Sequence, residues 1–218
     1  MNIALRRFLV FNRLPIAIVL FALGLLLGFK VTWWVAWIPM LLAILFVAAH
    51  FLIGPMTLIQ GYVESGDIEG AQKLLARVKK PEWLYKPVRS SYYMLRGNLS
   101  TMNEDLDQAE IDLKKSLEAG ITEKGYEGSA LLQLGSICLK KGNMNEAYQH
   151  FQQALKKGLP DADSRAMAHL QICQILLQRR SYKGAKISFA QAKNAKPSNE
   201  QIVAQIKELQ QYMSRIPG

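Results

Sequence analysis

The sequence predicts an all-α chain in two parts: an N-terminal two-helix transmembrane hairpin, then an α-solenoid of antiparallel helix pairs. Three observations carry that reading. Residues 1–54 hold no Asp or Glu, and their only cations are Arg6, Arg7, Arg13 and Lys30. Two long apolar runs fill the same segment, whereas the chain from Pro55 onward has the mixed composition of a water-soluble protein. From there a unit recurs. Ala71, Ala109, Ala147 and Ala185 stand at one constant interval, followed four residues later by Leu75, Leu113, Phe151 and Phe189, and three after that by Val78, Ser116, Ala154 and Ala192. A fixed period of about 20–50 residues marks a solenoid, in which each unit buries its apolar face only against its neighbours.

The first predicted span, residues 14–29, reaches roughly 24 Å at about 1.5 Å per residue, short of a hydrocarbon core of about 30 Å. Phe8 to Phe11 extend it, with Arg13 reaching outward. A cleaved signal peptide shares the basic start and apolar core, but no small-x-small site follows and a second apolar run begins at once. That run, residues 31–53, has Trp33, Trp34 and Trp37 at its start, where indoles favour the headgroup level, and Pro39 inside. Three arginines flank the first span against one lysine in the turn. The positive-inside tendency then places both termini and the repeats in the cytoplasm of a multi-pass protein integral to the cell or inner membrane. The lipid bilayer is one expected partner.

Gly54-Pro55 closes the hairpin, and Pro55 to Glu64, Ser65-Gly66-Asp67 and Ile68 to Val78 read as a first repeat joined to the second span with almost no linker. The membrane anchor is residues 1–54 and the repeat domain 55–217, with repeats at about 55–89, 90–127, 128–165 and 166–199. Pro81 to Pro87 reads as a loop. The turn Ser100-Thr101-Met102-Asn103 offers capping side chains before Glu104, and Asp161 to Ser164 is a second cap region. Residues 199–214 carry Ile202, Val203, Ile206, Leu209 and Met213 at helical spacing with a polar opposite face, as a terminal capping helix should.

These residues resemble the tetratricopeptide repeat, whose pattern is Trp-x-x-Leu-Gly-x-x-Tyr followed by Ala-x-x-x-Phe and a late Pro. Repeat three carries it best, with Leu131, Leu134, Gly135 and Cys138 on its first helix and Ala147, Phe151 and Ala154 on its second. Repeat four carries His169, Ile172, Cys173, Leu176, Ala185, Phe189, Ala192 and Pro197. Repeat two keeps Tyr93, Gly97, Ala109 and Leu113 but places Arg96 and Ser100 where apolar residues are usual. A period of 38 against the usual ~34 implies about four extra residues in each connection. With the hairpin, the chain resembles a bacterial-type membrane-anchored protein of this family.

Chemistry is sparse. Neither a nucleophile–base arrangement nor a phosphate-cradling glycine loop nor a metal-ligand spacing appears, so no enzyme, cofactor or metal is expected. Cys138 and Cys173 read as small buried hydrophobes, and His169 as a packing histidine. Glu104, Asp105, Asp107 and Glu110 open a helix, where the macrodipole favours carboxylates. Of the formal charge of +10, the four cations of residues 1–54 account for four, and the remaining +6 is read as spread along the repeats, with small clusters at Lys79-Lys80 and Arg179-Arg180. No aromatic-interleaved basic stretch accompanies it, so no nucleic-acid partner is expected.

In the resembled family a groove lined by first-helix residues holds a protein partner. Its counterparts are Met94 and Asn98 in repeat two, with Ser91 and Thr101 beside them; Ser129, Leu132, Ser136 and Leu139 in repeat three; and Met167, Leu170, Gln174 and Leu177 in repeat four. Some members clamp a peptide's carboxylates with Lys, Arg and Asn at such positions. Met94, Leu132 and Leu170 stand where cations would be needed, so this groove better suits an amphipathic helix, or the chain's own terminal helix. The expected function is a membrane-anchored scaffold or adaptor for protein–protein interaction on the cytoplasmic face. The alternatives are a structural subunit of a larger membrane complex, or a regulatory adaptor of an envelope-biogenesis enzyme.

Overall fold

A computed structural model describes residues 8, 12–30, 33–52, 59, 61–62, 65–120 and 125–216. These residues contain ten α-helices and no strand. They are α1 (Arg13–Lys30), α2 (Trp33–Leu52), α3 (Ile68–Leu75), α4 (Lys86–Met102), α5 (Leu106–Ala119), α6 (Tyr126–Lys140), α7 (Met144–Lys157), α8 (Ala162–Gln178), α9 (Tyr182–Asn194) and α10 (Glu200–Met213). The chain forms two compact units, Met1–Tyr92 and Tyr93–Gly218, each described by itself.

In the first unit α1 and α2 pack side by side as a hairpin. Their contact is made by small side chains: Ala17, Ala36 and Ala43 are buried, and Gly24 lies against Met40. Large apolar residues point outward, so that Ala36 is 1% exposed and its neighbour Trp37 64%. The Arg13 guanidinium donates to the Ala49 carbonyl at 2.7 Å. Among the described residues, no helix is long and apolar enough to cross a membrane. That overturns the expected multi-pass membrane location with cytoplasmic termini. One physical reason is reach: the apolar part of α1 between Arg13 and Lys30 extends roughly 24 Å, short of a hydrocarbon core of about 30 Å. The predicted junction at residues 53–58 and most of the first helix of repeat one lie outside the described residues.

Beyond the hairpin, α3 begins at Asp67, whose carboxylate accepts from the Gly70 amide. The predicted loop at 81–87 is in part a single 3-10 turn, Pro81–Trp83, where Lys80 sits over the Trp83 ring. The next helix starts at Lys86, earlier than expected, because Pro87 is compatible with a first helical turn.

In the second unit consecutive helices pack in sequence, α5 on α6, α6 on α7, α7 on α8 and α8 on α9, with α10 against α8 and α9. The close approaches use the small residues of the repeat. A methyl group placed on Gly135 would stand 2.6 Å from the Phe151 ring, so the glycine lets α6 settle on α7. Ala109, Ala147, Phe151, Ala154, Ala185 and Ala192 are all buried.

Local geometry repeats with the same period as the residues. Left-handed backbone occurs at Gly66, Glu104, Gly142 and Arg180, with φ of 74°, 62°, 82° and 57°, each one repeat period beyond the last. It recurs at Gly120, Gly158 and Lys196, with φ of 84°, 92° and 54°. The first series closes the turn within a helix pair and the second follows the pair. Helix N-caps also fall into phase at Asp67, Asp105, Asn143 and Ser181. This corrects the expected cap at residues 100–103. α4 runs on through Met102, and Asp105 is the cap, accepting from the Gln108 amide at 3.1 Å. Asp161 caps α8 by accepting from the Ser164 amide at 2.6 Å, as its position predicts.

Candidate functional site: the first-helix face

The residues singled out for a partner groove lie on α4, α6 and α8, the first helices of three successive pairs. Met94, Leu132, Leu139, Met167 and Leu177 are half-buried, each packed on a cluster of fully buried core residues. Asn98, Ser129 and Ser136 are also half-buried, and Gln174 is exposed. Leu170 differs. It is 1% exposed, in one cluster with Phe189 of α9 and Ile202 and Ile206 of α10. The terminal helix thus covers the fourth pair at Leu170, with Met167 and Leu177 packed at the margin. What stays open is a face of apolar stems and short polar groups. Ser129 and Ser136 donate their hydroxyls to the carbonyls of Gly125 and Leu132 at 2.9 and 3.1 Å, as such side chains do within helices. The buried amide oxygens of Asn98 and Gln133 have no hydrogen-bond partner among the described residues.

The second and third pairs also share an ionic cluster. Lys141 in the α6–α7 turn donates to Asp107 at 2.6 Å and Glu110 at 2.8 Å on α5. These two carboxylates hold the ammonium well above the usual lysine range. Glu110 also accepts from Lys114 at 2.6 Å, and hydrogen bonds from Lys114 and then Lys141 pull its carboxyl below the usual range. One period on, Arg179 donates to Asn145 at 2.6 Å and lies 4.9 Å from the Tyr148 ring. Lys141 and Arg179 are one period apart, as are Asp107 and Asn145, and Glu110 and Tyr148. A cation in each turn thus reaches back to the second helix of the preceding pair. The acidic group at 104–110 is structural: Asp105 caps, and Asp107 and Glu110 receive this cation. The sequence contained the signal, since the contacting residues recur in phase, but apolar periodicity does not reveal it.

Arg96 was a second missed partner. It stands at a usually apolar position because it pairs through two guanidinium nitrogens with Asp112 of α5, a carboxylate with no exposed surface. Asp112, His150 and Ser188 share one repeat position, which therefore holds a polar group in three pairs. His150 and His169 each bury an Nδ1 without a partner among the described residues, and burial holds both imidazoles below the usual histidine range. Cys138 and Cys173 are free and buried, and burial pushes both thiols up to about 11. At neutral pH they are protonated and poor nucleophiles. Among the described residues no group of His, Cys, Asp and Glu is placed to hold a metal ion.

Residues 128–156, helices α6 and α7 with their turn, match the family profile of the tetratricopeptide repeat. The segment is a tetratricopeptide repeat. The match falls on the pair in which Gly135 admits Phe151, and helix pairs that stack in this way generally serve as protein-interaction scaffolds. No curated protein matches the chain.

Proposed function

We propose that the repeat unit is a scaffold that holds one face of an amphipathic helix from a partner protein against the first helices α4, α6 and α8. The observation that carries this is the mixed face itself. Half-buried Met94, Leu132, Leu139 and Met167 offer adaptable apolar contact, with Asn98, Ser129, Ser136 and Gln174 between them for orientation. No cation stands at these positions, so recognition of a terminal carboxylate is not part of the proposal. The hairpin adds a second contact. Its outward shell of large apolar side chains is a surface that lipid acyl chains cover, and flotation with phosphatidylcholine vesicles measures that association; a chain that stays in the dense fractions loses it.

Leu170 is buried, so charge placed there would report on folding rather than binding. A photo-crosslinking residue at Ser136 or Gln174 reads the open face directly. The proposal expects covalent adducts with a helical protein segment from these two positions and none from Gln153, exposed on α7. Adducts from Gln153 alone would defeat it.

A further inference from the structure

The positive charge is not spread along the repeats as composition suggests. Between Arg165 and Arg215 nine Lys and Arg stand against Glu200 and Glu208 alone. Ion pairs show the same division. Lys73, Arg96, Lys114, Lys141 and Lys157 each find a carboxylate, and among the described residues no cation beyond Lys157 does.

The seam between α9 and α10 gives these unneutralised cations a defined geometry. Lys186 donates to the Ile216 carbonyl at 3.1 Å, and Lys193 to the Gln210 side-chain oxygen at 3.2 Å. The two helices are therefore antiparallel. One end of the seam holds Lys186 at Ile216, next to Arg215, and the other holds Lys193 at Gln210, which is one turn of α10 from Lys207. The two crossing lysines meet neutral oxygens, which leave their charge uncompensated. Lys193 and Lys207 are exposed. α10 is the last described helix of the array, and among the described residues of the second unit nothing covers its far side: Lys207, Gln210, Gln211 and Ser214 are all exposed.

We propose that this seam is a docking surface for an acidic helical segment of a partner protein. Charge complementarity supplies the attraction, and spacing supplies the class. Lys186 and Lys193 lie seven residues apart on one helix, roughly 10.5 Å, the interval at which carboxylates recur every two turns on a partner helix. The surface is separate from the face on α4, α6 and α8, and the inference does not rest on that reading.

The test uses the full chain in mild detergent and a fluorescent Ala/Gln helical peptide with Glu at seven-residue intervals. The expected result is saturable binding that weakens as salt rises, and that falls at least about tenfold in the double variant Lys193→Glu, Lys207→Glu. Both lysines are exposed, so that variant is expected to keep the parent's far-UV dichroism and melting point. If it does not, Lys193→Gln with Lys207→Gln serves in its place, with a smaller loss expected. A peptide of equal charge with Glu at five-residue intervals should bind more weakly. Three results would overturn the inference: equal binding of the two peptides, binding unchanged in the double variant, or polyuridylate or phosphatidylglycerol vesicles binding through Lys193 and Lys207 while the peptide does not.

Discussion

The hairpin α1–α2 and the pair α6–α7 are both paired antiparallel helices, and they distribute side chains in opposite ways. In α6–α7 the small residues Gly135, Ala147 and Ala154 allow close approach, and the large ones, Leu131, Leu134 and Phe151, are buried with them. In α1–α2 the buried residues among those described are Ala17, Gly24, Ala36, Pro39 and Ala43, while Ile18, Phe21, Leu26, Trp37, Ile38 and Ile44 face outward. The first arrangement is stabilised by removing apolar area from water. The second gains less from that source, since many of its large side chains remain uncovered, and its helices meet through small residues in van der Waals contact. A bare apolar shell of this extent calls for a cover. The same hairpin geometry can thus rest on two different driving forces, and the location of the large side chains tells which one acts.

The sharpest way to break the comparison is to delete one aromatic ring from each region. Phe151→Ala should cost about 3–5 kcal/mol in denaturant unfolding of the repeat unit, since Phe151 has no exposed surface. Phe21→Ala, in a residue 47% exposed, should leave that transition unchanged. Equal losses would show that the hairpin also has a conventional core.

Adding a methyl group separates the regions more gently. At Gly128 it would run into the Gly158 carbonyl, which is backbone and cannot swing aside, whereas at Gly24 it meets the flexible Met40 side chain at 2.8 Å. Gly128→Ala should therefore cost about 1–3 kcal/mol and open new proteolytic cuts around α6–α7. Gly24→Ala should be milder, and the reverse order would assign the tighter packing to the hairpin.

Acid should act on the repeats in two stages. His150 and His169 are held below the ordinary value of 6.5 by burial. The unfolded chain therefore takes up protons first, and stability declines as pH falls below that value. Glu110 and Asp163, depressed from 4.5 and 3.8, contribute stability above those values that is lost as pH falls further through their folded values. Asp163 accepts from the Ser198 amide at 2.6 Å and the Asn199 amide at 3.1 Å, so the second stage should loosen α10 first. Hydrogen exchange across a pH series measures both stages. A melting point that stays flat from pH 7 to pH 5 would contradict the histidine assignment.

The smallest expected change is a gain. Arg180 occupies a left-handed position that Gly66 and Gly142 fill elsewhere in its series, so Arg180→Gly should raise stability by about 0.5–1 kcal/mol in thermal unfolding.

The repeat architecture was legible because helix packing imposes a residue size at each contact. Ala147 and Phe151 are visible as letters, and their recurrence sets the register without coordinates. Helix ends were less legible: α4 overran its expected stop because residues 100–103 offer caps in composition, but the backbone turns only at Glu104. The pair Arg96–Asp112 was invisible because two departures from the pattern, on two different helices, are read separately in sequence and compensate each other only in space. The candidate face was legible as positions, but not the burial of Leu170, which depends on where α10 docks. The basic seam required α9 and α10 to be placed side by side before scattered lysines became a surface.

The in-phase turns also make the array modular. Excising one full period of chain would join neighbouring pairs with each left-handed turn and each N-cap still in step. It would also bring Arg179 to the station vacated by Lys141, opposite Asp107 and Glu110, where a guanidinium can take up both carboxylates. The turns within pairs are interchangeable joints, so that duplication or loss of a unit would alter the length of this scaffold without redesigning them.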